Sequence, residues 1–256
     1  MPKFSANLGF LWKELELPDA IRAAADAGFE AVECHFPYDV DPMAVKAALD
    51  QTGLPMLGLN TRVGDAEKGD FGVCALPGRE DEAQRLIDEA FDYAAVIGCR
   101  AVHVMAGKSG GGDEAQKTFQ SNVIYAAKRA ATMDAVVLLE PINQRDAPGY
   151  HHSLIEETRS IIDAVGHENV KAMFDCYHLQ ISQGDLLTRL KDNLDIIGHI
   201  QIAAVPDRGE PDAGEVNYPW LLAELTALGY EGYVGAEYKP RVDTNTGIGW
   251  MQAYTS

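Results

Sequence analysis

Basic residues are scarce in this sequence: 21 Lys and Arg stand against 39 Asp and Glu across 256 residues, a formal net charge of −18. The averaged field repels phosphate backbones and anionic membrane surfaces, so neither nucleic acid nor a membrane is an expected partner. An anionic small molecule remains admissible where a pocket gathers local basic groups, without long-range steering. Cysteine is also sparse. Cys34, Cys74, Cys99 and Cys176 lack the paired spacing of a zinc site and are too few for a disulfide-stapled chain, so reduced, mostly buried thiols are expected. No apolar stretch approaches the ~18 to 20 residues of a membrane span, and MPKFSANLGFLWKELE lacks a signal-peptide apolar core. These absences point to a soluble, cytoplasmic protein. No Pro/Ser-rich linker or low-complexity tract divides the chain, and α/β barrels routinely reach this length in one domain, so residues 1–256 are expected to form one.

Hydrophobic residues make up 46% of the chain and charged residues 23%, which suffices for a sizeable core and excludes disorder or a fibre. Short apolar, β-rich runs recur with amphipathic segments between them: Phe4–Leu8, Ala31–Phe36, Met56–Asn60, Ala101–Met105, Val136–Glu140, Val170–Asp175, Ile197–Ile202 and Tyr233–Glu237. This alternation predicts a parallel sheet flanked by helices. Helix punctuation is legible in PDAIRAAADAGFE, where Pro18 suits a first turn and Gly28 a C-terminal stop, and it recurs in SLIEETRSIIDAVGHEN and YPWLLAELTALGYEG. Eight such repeats match a single (β/α)₈ TIM barrel, whereas an open doubly wound sheet usually carries a Gly-rich phosphate fingerprint after its first strand. None stands there. Gly110, Gly111 and Gly112 lack the following Lys-Ser/Thr of a P-loop and read as a loop before a helix. Irregular stretches at Thr61–Pro77, Pro141–His152 and Ala203–Asn217 each follow a predicted strand, which in a barrel places them on the face that carries active sites. The part after Lys239 reads as a short or irregular last helix, with Trp250 packing elsewhere.

Four predicted strands finish on polar groups: Glu140, Asp175 and Glu237 close their runs, and Gln201 stands one residue before the end of its own. Side chains at one height on adjacent barrel strands converge at the mouth, which would crowd three carboxylates and one amide together. Unpaired burial of three carboxylates raises their pKa values or destabilises the fold, and a divalent cation removes the conflict. An all-oxygen set favours Mg²⁺ or Mn²⁺ with positions left for water or substrate. Each residue alone also fits an ordinary strand end bonded to Arg, Lys or backbone; the four together favour the metal. His178 stands three residues after Asp175, within reach of a ligand or substrate. His199 should face the same side as Gln201 and could hold Glu140 or Asp175 as a supporting partner. His35 and His103 could line the mouth or be satisfied core residues, and His151, His152 and His167 read as loop or helix residues.

Longer strings carry more than periodicity. EPINQRDAPGY (Glu140–Tyr150), FDCYHLQISQGDL (Phe174–Leu186), GHIQIAAVPDRGEPDAGEVNYPW (Gly198–Trp220) and GAEYKP (Gly235–Pro240), with NLGFLW, FPYD and ALPGRE, closely resemble the hydroxypyruvate isomerase family across nearly the whole chain. That family looks like a branch of the xylose-isomerase-like barrels, which also include ketose 3-epimerases and an apurinic endonuclease. The resemblance implies a divalent metal at Glu140, Asp175, Gln201 and Glu237, with Glu140 and Glu237 as the paired proton donor and acceptor. Ketose 3-epimerases generally place His where Gln201 stands. Two departures, His151-His152 after PGY and Cys34-His35 before FPYD, bear on the substrate more than on the chemistry.

The implied reaction moves a proton between adjacent carbons of hydroxypyruvate and 2-hydroxy-3-oxopropanoate (tartronate semialdehyde) through an enediolate, with His178 able to move the hydroxyl proton. Arg208 is the expected anchor of the substrate carboxylate because a guanidinium binds carboxylate in bidentate fashion; Lys239, Arg145 and Arg62 are weaker candidates. An isomerase or epimerase of a larger keto acid or ketose, such as a 2-oxo-tetronate, would keep the metal site and differ at His35, Trp12 and His152. A non-catalytic metal-binding barrel is the remote alternative, and homo-oligomerisation is left open.

Overall fold

Successive side chains along a strand point to opposite faces, so each strand of a barrel offers one row to the surrounding helices and one to the interior. The computed structural model describes residues 2–254. In chain order the elements are β1 (Lys3–Asn7), α1 (Leu17–Asp26), β2 (Ala31–Glu33), α2 (Pro42–Thr52), β3 (Leu59–Asn60), α3 (Glu80–Ile97), β4 (Ala101–His103), α4 (Asp113–Ala131), β5 (Val136–Leu139), α5 (Ile155–Val165), β6 (Val170–Asp175), α6 (Cys176–Ser182), α7 (Leu186–Asn193), β7 (Ile197–Ile202), α8 (Tyr218–Ala227), β8 (Tyr233–Ala236) and α9 (Thr244–Gly247). A 3₁₀ turn at Ala66–Lys68 lies in the loop after β3, and a second, Ile248–Tyr254, follows α9.

The strands pair in parallel in the order β2-β1-β8-β7-β6-β5-β4-β3. Val32 bridges to Met56 across the remaining seam, with the Val32 N–H donating to Pro55 O at 3.0 Å and the Cys34 N–H to Gly58 O at 3.1 Å. The result is a nearly closed barrel, as the eight runs predict. β6 and β7 have the predicted bounds. β2, β3 and β4 are shorter than their runs because buried residues such as Val104 and Met105 continue the apolar pattern beyond the ladder.

Outward-facing Val102, Val137, Leu139, Phe174, Ile200 and Val234 are fully buried beneath the helices, where Ile21, Phe91 and Phe119 meet them in one core. The inward row differs in character. Ser5, Asn7, Glu33, His199 and Gln201 are all buried polar residues, whereas barrel interiors are generally filled by branched aliphatic side chains. Trp250 packs edge-on against Phe4 at 4.9 Å and Tyr238 at 6.2 Å, which ties the chain end to β1 and β8. All four cysteines are free and buried. Among the described residues no helix is long and apolar enough to cross a membrane.

The loop after β3 is fastened to the end of β4 by an antiparallel bridge between Gly72 and Ala106. Gly72 (φ +100°) and Gly107 (φ +98°) both lie in the left-handed region, and a Cβ on Gly72 would stand 2.6 Å from Met105 O while one on Gly107 would collide with Gly72 O. Gly107→Ala is therefore expected to cost about 1–3 kcal/mol in strained backbone and to lower the thermal midpoint by several degrees in calorimetry. An unchanged midpoint would show that the two segments part without penalty.

Candidate active site

Strand parity carries the acidic residues into the interior. Glu140 follows the last residue of β5, two positions beyond inward-facing Leu138; Asp175 ends β6; Glu237 follows β8, two beyond Gly235. The ladders pair Asp175 with Gln201 and Gln201 with Gly235, so the ends of β6, β7 and β8 stand nearly level. Asp175 also caps α6, accepting a hydrogen bond from the Tyr177 N–H at 2.8 Å, and that short helix holds His178 one turn away. Arg208 comes from the loop after β7. Its N–H donates to Ala204 O and its carbonyl accepts from the Lys239 N–H at 2.7 Å, which fixes a left-handed residue (φ +57°) over the mouth.

The three carboxyl groups have unequal company. Glu237 accepts from Arg208 Nη2 at 2.7 Å and Asn7 Nδ2 at 3.1 Å, and it meets His35 Nε2 at 2.8 Å. Burial acts to raise its pKa, but Arg208 and the His35 hydrogen bond outweigh burial and hold it well below the usual carboxylate range. Asp175 shares the same Arg208 nitrogen at 3.3 Å. Burial, opposed by Arg208 and reinforced by Glu237, pushes it up to about 8. Among the described residues, the ionisable nitrogens near Glu140 are His103 Nδ1 at 3.4 Å and His178 Nε2 at 3.7 Å. Burial, then repulsion from Glu237 and Asp175, raises its pKa well above the ordinary value.

The histidines divide by role. His178 is buried and its pKa falls to about 3, through burial first and Arg208 second, so the ring is neutral. Its Nδ1 is approached by the Asn143 backbone N–H at 3.3 Å and by the Asn143 amide at 2.6 Å. These donors assign the proton to Nε2, which points toward Asp175 Oδ2 at 3.5 Å and Glu140. His103, lowered to about 3 by burial, has no hydrogen-bond partner for either ring nitrogen among the described residues. Arg208 lies over the rings of Phe10 (4.9 Å) and Tyr177 (4.7 Å), and its Nε is likewise without a partner among the described residues.

Which atoms suit a cation follows from this donor inventory. One ligand atom from each of Glu140, Asp175 and His178 lies within 4.8 Å of the others, but a neutral His178 with its proton on Nε2 offers a donor there. Gln201 offers the opposite. Its Nε2 donates to Glu33 Oε1 at 3.0 Å, so its buried Oε1 is left as an acceptor with no partner among the described residues. An orphaned carbonyl oxygen on the strand next to Asp175 is the kind of donor a hard divalent cation accepts, alongside the Glu140 and Asp175 carboxylates.

One sequence expectation is corrected. His199 faces the interior with Gln201 but holds neither Glu140 nor Asp175: its Nε2 makes a short hydrogen bond to Glu33 Oε2. Side chains two residues apart on a strand differ in height, so His199 reaches the acid one layer below the mouth. Burial acts to lower the His199 pKa, and the Glu33 carboxylate reverses this, leaving it raised. Glu33 and Asn7 were the residues that sequence reading missed. A lone carboxylate inside the buried run AVECHF was the available signal, because such a group needs partners. Trp12 also lies away from the mouth, buried against Phe29 with its indole N–H on Asn245 Oδ1. Lys239 remains exposed at the rim, 5.8 Å from the Phe10 ring. Arg62 turns outward to Glu89 and Asp39, Arg145 binds the Tyr177 hydroxyl and Asp146, and His152 is buried between Phe119 and Tyr150.

Comparison with known proteins gives consistent relatives. The model of the family described as "Xylose isomerase-like TIM barrel" matches residues 21–254. A 2-oxo-tetronate isomerase of Cupriavidus necator is 45% identical over 99% of this chain and 99% of its own. The hydroxypyruvate isomerase of Escherichia coli K12 is 37% identical over 99% of this chain and 100% of its own. A crystal structure titled AP endonuclease, family 2, from Brucella melitensis superposes with a TM-score of 0.96 at 40% identity, covering 100% of both chains.

The raised carboxyls set a pH test. A cation binds ionised carboxylates, so Mn²⁺ added at pH 7 should displace the proton that Asp175 holds below about 8. Apparent affinity should climb by up to about tenfold per pH unit for each proton released, and the Asp175 share should vanish above about pH 8. Titration calorimetry in two buffers of different ionisation enthalpy measures the release directly; no net proton exchange at pH 7 would mean the carboxyls were already ionised.

Proposed function

The chain belongs to the xylose isomerase-like TIM barrel family, and from that premise we propose a divalent-cation-dependent isomerase that interconverts hydroxypyruvate and 2-hydroxy-3-oxopropanoate. The observation that carries the reading is the split between two buried glutamates: Glu237 is held ionised while Glu140 is pushed toward its protonated form. Paired groups whose environments drive their proton affinities apart are suited to acid and base roles in one reaction. A cation held by Glu140, Asp175, Gln201 and Glu237 would supply electrostatic stabilisation of developing oxyanion charge.

The chain's own groups account for the proton traffic. Glu237, with three donors on its carboxylate, takes the proton from the hydroxymethyl carbon of the ketone. The electron pair moves to form the enediolate, and Glu140 delivers a proton to the adjacent carbon, completing the 1,2-shift. One hydroxyl proton must also pass between the two substrate oxygens, and His178 Nε2–H faces the carboxyl pair in a position to hold or move it. Arg208 anchors the substrate carboxylate: its planar fork lies between Phe10 and Tyr177 with Nε still unpartnered among the described residues. His35 joins the same wall through Glu237, and Lys239 stands at the entrance.

A four-carbon substrate is the second reading, favoured by the Cupriavidus necator relative, whose name is 2-oxo-tetronate isomerase and whose identity is the higher of the two isomerases. A phosphodiester substrate is disfavoured by the net charge of −18, whose averaged field repels a phosphate backbone.

Incubation with hydroxypyruvate or a 2-oxo-tetronate in deuterated buffer with Mn²⁺ tests the proposal. Product formation with solvent deuterium at the reacting carbon supports it, and Glu237→Gln should remain folded while losing at least about 10²-fold in rate; wild-type turnover by that variant removes Glu237 from the chemistry. Arg208→Ala should raise KM about 10- to 100-fold through loss of a charge-assisted hydrogen bond. Because Arg208 also holds Glu237 ionised, the acid limb of kcat/KM should move to higher pH in the same variant. An unchanged KM would place the anchor elsewhere.

A further inference from the structure

A glutamine is an ambiguous metal ligand. Its amide can present oxygen or nitrogen, and only the oxygen binds a cation, so something must select the orientation. In this barrel the group facing the Gln201 amide nitrogen is a carboxylate, which accepts and cannot donate. Glu33 is buried on β2 and gathers four donors from two other strands, β1 and β7. Its Oε1 accepts from Gln201 Nε2 (3.0 Å) and Asn7 Nδ2 (3.1 Å), and its Oε2 from His199 Nε2 and from Ser5 Oγ at 3.4 Å. Turning the Gln201 amide over would set oxygen against oxygen at that contact.

The same carboxylate reaches a second residue of the site. The Gly9 N–H donates to Asn7 Oδ1 at 2.9 Å, which orients the Asn7 amide so that its nitrogen bridges Glu33 Oε1 and Glu237 Oε1, each at 3.1 Å. The barrel leaves room for this hub. Gly235 lies beside it on β8, and a Cβ there would stand 2.5 Å from Glu33 Oε1 and 2.9 Å from Gln201 Cγ. A cavity of about 210 Å³, lined by Asn7, Glu33, His103, His199, Gln201 and Tyr230, adjoins the same groups.

We propose that Glu33, seated on His199, is the positioning residue that aims the Gln201 carbonyl oxygen into the cation site and steadies Glu237 through Asn7. The proposal rests on the cation reading above, and it concerns how the ligands are aimed. Glu33 touches neither cation nor substrate. His199 holds its other carboxylate oxygen, and the absence of a side chain at Gly235 leaves the space in which the carboxylate fits.

The test reads Mn²⁺ affinity, by calorimetry and by the Mn²⁺ resonance signal, without turnover. Glu33→Leu removes every acceptor at constant bulk and should weaken binding about 10- to 100-fold. Glu33→Gln keeps one carbonyl that can accept from both Gln201 and Asn7 while neutral His199 changes tautomer, so it should recover most of the loss. Recovery separates aiming from charge: if Glu33→Gln binds as weakly as Glu33→Leu, Glu33 acts as a negative charge and the assignment is overturned, as it is if Glu33→Leu binds like the parent. Should Glu33→Leu not fold, Gln201→Glu sets two acceptors face to face, and its Mn²⁺ binding should weaken despite the added charge; tighter binding overturns the proposal. A parent protein that binds no Mn²⁺ overturns the cation reading, and the aiming role falls with it.

Discussion

Buried negative charge is the constraint on which the interior of this barrel depends. Glu33, Glu140, Asp175 and Glu237 are all buried within one lumen, and each isolated ion there would carry a penalty of several kcal/mol. The protein meets that penalty in different ways. Glu33 is compensated by His199 and by the donors of Ser5, Asn7 and Gln201. Glu237 is compensated by Arg208, His35 and Asn7. Glu140 is given almost nothing, and its proton affinity rises accordingly. The uneven distribution of donors, and not the carboxylates alone, is what makes the mouth chemically asymmetric.

Stability and function are therefore separated by strand parity. The aliphatic rows that bury against the helices run outside the barrel, while polar side chains from β1, β2 and β7 share the interior with apolar ones such as Leu138 and Met173. A barrel packed inside with Val and Ile would be simpler to stabilise but could not aim ligands from below. The floor acts as a rigid support: Glu33 draws on β1, β2 and β7, so a shift of any of those strands would be felt at Gln201. The long loops then add what strands cannot supply. Arg208 arrives on a tight turn after β7, and His178 arrives on a helix that Asp175 itself begins.

Much of this was legible before folding. Eight apolar runs with helical punctuation between them determine a (β/α)₈ barrel, and carboxylates closing strands five, six and eight mark its mouth. The error over His199 has a simple origin. Periodicity says which face a side chain takes, and His199 does share a face with Gln201, but it says nothing of the layer at which partners from non-neighbouring strands meet. Glu33 is 166 residues distant from His199 in sequence, and the hydrogen bond between them crosses the barrel. Asn7 was hidden for another reason: an asparagine ahead of a glycine reads as turn chemistry, and here its oxygen does bind the Gly9 N–H while its nitrogen serves the acids. The engagement of Arg208 with Glu237 and Asp175 also lay beyond sequence, because it depends on how a loop folds back over the mouth.

Charge balance explains why an amide suits position 201. Glu33 and His199 hydrogen-bond to each other one layer below, which leaves Glu140, Asp175 and Glu237 as the acidic groups of the mouth and Arg208 as its basic group. In the proposed state a divalent cation would bring that set to neutrality when all three acids are ionised. A further carboxylate at 201 would leave an excess charge in the lumen and would also oppose Glu33 directly, whereas Gln201 contributes an oxygen without either penalty. With Glu140 still holding the proton it is to deliver, an anionic substrate would approach a mouth of no more than one net positive charge on a molecule whose surface field repels it. Recognition under those conditions has to come from short-range, directed hydrogen bonds. In the proposed reading a guanidinium held between Phe10 and Tyr177 would supply them, since it is fixed before a substrate arrives and would lose little freedom on binding.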